Sequence, residues 1–176
     1  MKRLTYLMSA LLIVFALGAC EQQEVAPDAT IQDELSQMNG KKVMNFRTHL
    51  SGNNEVPTVD TDATGQFILQ YKDGEFKYKL IVANIKNVWG AHIHLGEAGS
   101  NGGVIVPLFG VANRPAENMP NGILAEGTFN AARIGGPLSG EEDKVKALLM
   151  AIMNGNTYVN VHTEENKPGE VRGQIF

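Results

Sequence analysis

Hydrophobic and polar residues alternate through most of the chain from about position 43 onward. The clearest example is segment 65–85, in which every second residue of 67–71 and of 76–82 is apolar. Asp73-Gly74 separates the two runs, and this dipeptide supplies the positive φ angles that a tight hairpin turn requires. The pattern predicts two antiparallel strands joined by a two-residue turn.

Further short runs of this kind predict strands at 45–52, 90–95, 102–109, 122–130, 157–163 and 169–176. Segment 110–121 is rich in Pro, Asn and Ala, and we expect it to be an exposed loop. Seven or eight short strands separated by turn signals predict an all-β fold. The expected architecture is a Greek-key or immunoglobulin-like β-sandwich or barrel.

One segment has a helical rather than a strand-like period. Ser139 and Glu142 have the spacing of a capping box, and apolar residues then recur at helical spacing as far as Met153, before Gly155. These signals predict one crossover helix over 139–154. Its apolar stripe is expected to pack against the sheet.

The N-terminal segment resembles a bacterial lipoprotein signal. A short basic start precedes an apolar stretch, 7–17, that is too short to span a bilayer, and Leu17-Gly18-Ala19-Cys20 resembles a lipobox. The resemblance implies cleavage after residue 19 and a lipid on Cys20, which would anchor the protein to a membrane. An ordinary secretory signal with an incidental cysteine is the alternative. Residues 20–42 are predicted to be a flexible tether and 43–176 the folded domain.

Charge and cysteine content narrow the candidate functions. Without residues 1–19 the chain has 13 basic and 19 acidic residues, a net charge of −6 with neutral histidines. This acidity argues against nucleic-acid binding. Cys20 is the single cysteine, so an acylated chain has no disulfide, thiolate ligand or cysteine nucleophile. Glu21 after Cys20 resembles the outer-membrane sorting rule of some bacteria.

Three histidines are candidates for a metal site. Alternation places His92 and His94 on one face of their strand, opposite Ile93, while His162 shares a face with Asn160. If the two strands are neighbours, the three imidazoles meet on the outer face of the sheet and can bind copper or zinc. Alternatively, the histidines only form hydrogen bonds, for example to Asn160, Glu97 or a carbonyl group. His49 is a possible fourth ligand.

Several charged residues accompany these histidines. Glu55 precedes a proline and is a candidate ion-pair partner for Arg172. Glu170, Arg172 and Gln174 share one face of the last strand, either supporting a histidine by hydrogen bonds or facing solvent. The glycine-rich segment 96–104 lacks the Gly-Lys-Ser/Thr ending of a phosphate-binding P-loop, and no helix follows it. We therefore expect it to be a tight loop between strands.

Three segments together resemble the CHRD domain, which was first described in chordin: "LSGNNEVPTVDTDATG" (50–65), "AHIHLGEAGSNGGVIVPL" (91–108) and "YVNVHTEENKPGEVRGQI" (158–175). The resemblance covers nearly all of 43–176 and implies the fold more than the activity. The animal relatives belong to an extracellular antagonist of a growth factor. The His-x-His pattern with a distant histidine also resembles copper-zinc superoxide dismutase, but the disulfide and the zinc loop of that enzyme are missing.

These observations predict a lipid-anchored binding module of the cell envelope, on the outer membrane, that is not an enzyme. Its most specific form binds copper or zinc through His92, His94 and His162. One alternative is a metal-independent domain that binds a protein or a glycan. The other is a metalloenzyme of the dismutase type.

Overall fold

Eight antiparallel strands form one sheet in the order β5-β4-β7-β8-β1-β2-β3-β6. The computed structural model describes residues 43–110 and 121–176. The predicted signal peptide and tether, and all but the two end residues of the predicted loop 110–121, lie outside these residues. The strands are β1 (Met44–Ser51), β2 (Thr64–Lys72), β3 (Glu75–Ala83), β4 (Val88–Leu95), β5 (Gly103–Gly110), β6 (Asn121–Phe129), β7 (Thr157–Thr163) and β8 (Val171–Gln174).

The sheet curls so that its two edge strands, β5 and β6, approach each other. The result is a nearly closed barrel, which confirms the all-β prediction. Apolar side chains from every strand fill its interior, and Leu50, Phe67, Leu80, Ile93 and Val159 are completely buried there. Because each strand contributes alternate residues to this core, the period of two read from the sequence is the direct cause of the fold.

The hairpin of β2 and β3 matches its prediction closely. Tyr71 pairs with Phe76 next to the turn, and the register continues without interruption to Thr64 and Ala83. Asp73 and Gly74 have φ angles of 50° and 85°. Both are positive, as a two-residue turn of this type requires.

One helix, α1 (Lys144–Met153), connects β6 to β7. It begins five residues later than predicted, because Ser139 ends a short 3₁₀ helix, Gly136–Leu138, instead of capping α1. Asp143 is the actual cap, and its Oδ1 accepts a hydrogen bond of 2.9 Å from the Lys146 N–H. The predicted stripe packs on the core as expected, with Leu148, Leu149 and Ile152 buried.

Among the described residues, no helix has the length and apolar character needed to cross a membrane.

Candidate metal centre

The two strands that carry the three histidines are direct neighbours. β4 and β7 pair antiparallel, with His92 opposite Asn160, His94 opposite Tyr158 and Gly90 opposite His162. Opposite residues of a β-ladder point to the same side of the sheet. The register therefore brings all three imidazoles together on the outer face of β4 and β7, as the alternation of residues predicted.

The other face of these strands belongs to the barrel interior. Ala91, Ile93, Val159 and Val161 are completely buried, and Leu95 packs against the same core. This confirms the predicted division of each strand into an apolar inner face and a polar outer face. The two faces differ in chemistry much more than in exposure.

The outer face is not the open surface that the sequence suggested, because loops cover it. We call these loops the polar cap: segments 52–62, 96–102 and 164–170. Asn54 donates a hydrogen bond to the Arg172 carbonyl, and His94 and His162 each bond to a carbonyl of the cap, at Gly102 and Lys167. His94 and His162 are consequently buried, and His92 is partly exposed.

The donor nitrogens of the three histidines all lie within 4.8 Å of one another. His92 Nδ1 and His162 Nε2 are 3.0 Å apart. Ligands that bind one ion at about 2.0 Å are spaced roughly 3.3–3.6 Å apart. One pair is thus already near coordination distance, and the third donor lies no more than 4.8 Å from either of them.

The hydrogen bonds of the cap determine which nitrogens are free. Nδ1 of His94 lies 2.9 Å from the Gly102 carbonyl, and Nδ1 of His162 lies 2.9 Å from the Lys167 carbonyl. A carbonyl oxygen only accepts, so both Nδ1 atoms carry the proton. Each Nε2 is therefore unprotonated: that of His94 has no hydrogen-bond partner, and that of His162 accepts a hydrogen bond from His92 Nδ1. A histidine whose Nδ1 donates to a carbonyl group and whose Nε2 is unprotonated has the usual arrangement of a metal ligand.

The cluster also keeps its histidines neutral. Burial lowers the pKa of His92 to about 4, with a further contribution from His162 and His94. Burial likewise lowers the pKa of His94 and of His162, against the opposing effect of their bonds to Gly102 and Lys167. Because only neutral imidazole binds a metal, all three are in ligand form at neutral pH.

Two buried acceptor atoms in this cluster have no hydrogen-bond partner: His94 Nε2 and Asn160 Oδ1. Asn160 lies directly opposite His92 in the ladder, and its side chain acts on the pKa of His94. An orphaned buried acceptor is costly and calls for an ion or a water molecule. Three neutral nitrogens with an open position suit copper or zinc, so the residues present fit a transition metal.

Trp89 and Gly90 also belong to the site, and the sequence analysis missed both. Strict alternation would place Trp89 on the core face, but a bulge between Val88 and Gly90 interrupts the pairing. The Trp89 ring consequently lies over the cluster, with its centroid 5.0 Å from that of His162. A Cβ atom on Gly90 would lie 3.2 Å from His92 Cε1, so glycine leaves the space that this imidazole uses.

A column of stacked side chains supports His94. Its ring is stacked on Tyr158, with centroids 4.8 Å apart and an 8° angle between the planes. The Arg172 guanidinium carbon lies 3.4 Å from the Tyr158 ring centroid. Because β7 lies between β4 and β8, the tyrosine ring is held between His94 and Arg172. The tyrosine hydroxyl accepts a hydrogen bond from the Gly102 N–H.

The predicted ion pair between Glu55 and Arg172 is not formed. No nitrogen–oxygen contact of 4.0 Å or less joins them in the described chain; Arg172 instead donates to the Glu97 carbonyl at 2.8 Å. Burial raises the pKa of Glu55 to about 7, although the charge of Arg172 opposes this. Among the described residues, Glu55 is therefore a buried carboxyl group without a direct ion-pair partner.

The last strand does place Glu170, Arg172 and Gln174 on one side, as predicted, but this side is covered. Arg172 is only 1% exposed. Glu170 accepts hydrogen bonds from Thr61 and Thr163, and Gln174 donates to the Gly96 carbonyl. Arg172 supports His94 through the tyrosine ring, whereas the partners of Glu170 and Gln174 lie in the cap and the strand ends.

His49 takes no part in the site. It is exposed on β1, two strands away from β7, and the metal-ligand cluster contains only the other three histidines. Among the described residues, the clefts of ≈ 580 and ≈ 400 Å³ that flank Glu55 contain none of the three cluster histidines in their walls. The partly exposed His92 and Trp89 therefore mark the side from which an ion would enter.

A family model for the CHRD domain matches residues 46–175. The match includes every strand that forms the site and all three of its histidines. No curated protein sequence and no solved structure matches the chain.

Proposed function

The chain belongs to the CHRD family, and we propose that it is an extracellular binding module whose ligand is a transition-metal ion, copper first and zinc second. His92, His94 and His162 are the protein ligands. The observation that carries this proposal is the buried His94 Nε2, which has no hydrogen-bond partner and lies within 4.8 Å of the other donors. Its lone pair needs an ion or a water molecule, and a donor nitrogen of each of the two other imidazoles lies within 4.8 Å.

The proposal includes a place in the cell. A signal peptide over 1–19, a lipid on Cys20 and a tether over 20–42 would hold the domain at the surface of the outer membrane. The lipobox-like sequence before Cys20 supports this. Globomycin, which inhibits lipoprotein signal cleavage, should make the uncleaved precursor accumulate. Processing that is unaffected by globomycin and by Cys20→Ser would contradict the anchor, without affecting the metal site.

Calorimetry with the purified protein, free of any histidine tag, tests metal binding. Cu(II) and Zn(II) are titrated in air, and Cu(I) is titrated anaerobically. We expect saturable binding of one ion per chain, with the affinity reduced at least about 100-fold in His94→Ala and in His162→Ala, because each loses one of three ligands. His49→Ala is the matched control and should leave binding unchanged.

Trp89 provides a second readout, since it is the single tryptophan in the chain and its ring lies 5.0 Å from that of His162. A bound copper ion should quench its fluorescence with the stoichiometry that calorimetry gives. If no ion shows saturable binding, or if the His94 and His162 variants bind as tightly as the wild type, the metal proposal is wrong.

A metal-independent interaction domain is the second candidate, and the opposite side of the barrel favours it. Ile68 on β2 and Ile123 on β6 are 44% and 50% exposed; Ile123 pairs with Ile81 on β3, and Ile68 lies diagonally across the sheet from Ile81. Crosslinking of intact cells through cysteines introduced at 68 or 123 tests this surface. A specific adduct, together with a failure of all three ions to bind, would favour this second function.

A further inference from the structure

The proposed ligand set has no negative charge of its own. The three donors are neutral imidazoles, and in the described chain the cluster includes no carboxylate. An ion bound here therefore keeps its full formal charge inside the protein.

A buried positive charge, that of Arg172, lies beside the site. It lies 3.4 Å from the Tyr158 ring, whose other face is 4.8 Å from the His94 ring, so on the order of 8 Å separates the guanidinium from that imidazole. Arg172 is only 1% exposed, so solvent screens it poorly.

Charge therefore discriminates between ions. The desolvation cost of an ion grows with the square of its charge, and its repulsion by Arg172 grows in proportion to that charge. At a separation of about 8 Å and an effective dielectric constant of 20, one additional positive charge weakens binding by roughly 30-fold. Desolvation acts in the same direction.

The preferred coordination number also disfavours Cu(II) at this site. Cu(II) prefers a tetragonal arrangement of four or more ligands, whereas the cluster offers three nitrogens. Trp89 covers the side of the cluster near His162, and its indole N–H donates a hydrogen bond to the Thr163 carbonyl. Its ring has no lone pair to offer as a fourth ligand, but the face of an indole ring attracts a cation.

On the basis of the metal-binding function proposed above, we propose that the site is selective for monovalent copper over Cu(II) and Zn(II), and that Arg172, stacked on Tyr158 and His94, strengthens this selectivity. Imidazole binds both oxidation states of copper and also zinc. The type of donor alone therefore does not determine which ion the site prefers. The charge of the ion and its preferred coordination number do.

Anaerobic competition against a chromogenic Cu(I) chelator gives the Cu(I) affinity, and matched competition assays give those for Cu(II) and Zn(II). We expect Cu(I) to bind at least about 100-fold more tightly than either divalent ion. Ag(I), which is monovalent and does not change oxidation state under these conditions, should bind and should displace Zn(II). Equal or tighter binding of Cu(II) or Zn(II) would overturn the selectivity and leave the metal-binding function intact, whereas no binding of any ion would refute both.

Arg172→Gln tests the role of the charge. This variant should reduce the ratio of Cu(I) to Cu(II) affinity by about 10-fold or more, mainly by strengthening Cu(II) binding. Arg172→Lys retains a positive charge and should preserve most of the ratio. An unchanged ratio in a folded Arg172→Gln variant would overturn the role of Arg172. If neither variant folds, as near-ultraviolet circular dichroism will reveal, the wild-type affinity ratio still decides the selectivity.

Discussion

The two walls of the barrel use the same backbone pattern in different ways. In β2, inward residues are buried and outward residues such as Gln66, Ile68 and Gln70 are exposed. In β7, all seven residues are buried, because the polar cap covers the outer face. The first wall is an ordinary half-exposed sheet. The second has two interiors, one apolar and one polar, and the polar one contains the candidate metal site.

The burial of apolar side chains stabilises the fold, whereas the burial of polar atoms needs another explanation. Apolar side chains gain free energy when they leave water. A polar atom that is buried without a partner instead costs about 1–3 kcal/mol. On the polar side of the β7 wall, His94 Nε2 on β4 and Asn160 Oδ1 on β7 are in this condition. Such atoms lower the stability of the wall unless an ion or a water molecule satisfies them, which is consistent with a binding site.

Replacing an outward-facing residue by alanine in each wall should show the difference between the walls most clearly. Tyr158→Ala removes a ring that is 2% exposed and leaves a cavity between His94 and Arg172. We expect its free energy of unfolding to fall by about 3–5 kcal/mol. Ile68→Ala, outward-facing on β2 and 44% exposed, should cost no more than about 0.5 kcal/mol. Urea denaturation measures both, and similar losses would show that the walls do not differ.

The pH dependence of stability should distinguish the polar interior from an exposed surface. Glu55 keeps its proton up to a pKa of about 7 in the folded state, whereas its ordinary value is 4.5. Between pH 4.5 and pH 7, unfolding therefore releases a proton from Glu55. The contribution of Glu55 to stability is complete below pH 4.5 and is lost as the pH rises through 7. The lowered pKa values of the histidines act oppositely, reducing stability as the pH falls below 6.5.

Glu55→Gln isolates the first effect, because the histidine contributions cancel when the variant is compared with the wild type. Between pH 4.5 and pH 8, the free energy of unfolding of the variant should rise by on the order of 2 kcal/mol relative to that of the wild type. Thermal unfolding at four or five pH values measures the difference. A constant difference between the two proteins across this range would show that Glu55 titrates normally.

A smaller effect is expected from a pair of glycines that face each other across β4 and β5. Gly90 and Gly110 are direct partners in the ladder. A methyl group on Gly90 would press on His92, whereas one on Gly110 meets no atom within 4 Å. Gly90→Ala should weaken metal binding by roughly 10-fold, the scale of changes that misplace a ligand, and Gly110→Ala should leave it unchanged. The reverse order of effects would mean that His92 is not a ligand.

Much of the barrel could be predicted from the chain itself, because alternation and turn residues are local signals. The hairpin around Asp73-Gly74 and the shared face of His92 and His94 followed from spacing alone. The start of α1 was wrong because Ser139 and Asp143 are both good caps. Local sequence could not show that the turn Gly136–Leu138 would use Ser139 instead.

The remaining features depend on contacts between distant segments. The bulge that brings Trp89 to the histidines arises from the pairing of β4 with β7, and the hydrophobic pattern of β4 alone does not predict it. The burial of Arg172 results from loops more than 70 residues away in sequence, such as Glu97, whose carbonyl accepts its hydrogen bond. The sequence predicted which three histidines come together, and the structure added the cap, the stacked column and the missing ion pair.

X-ray absorption spectroscopy of the copper-loaded protein tests the central claim most directly. The three-histidine account predicts a first shell of three nitrogens at about 2.0 Å, with the outer-shell scattering of imidazole rings. In His94→Ala, the number of imidazoles should fall by one. A shell of oxygen ligands without imidazole scattering, or a spectrum that His94→Ala leaves unchanged, would contradict the account and place the copper elsewhere on the protein.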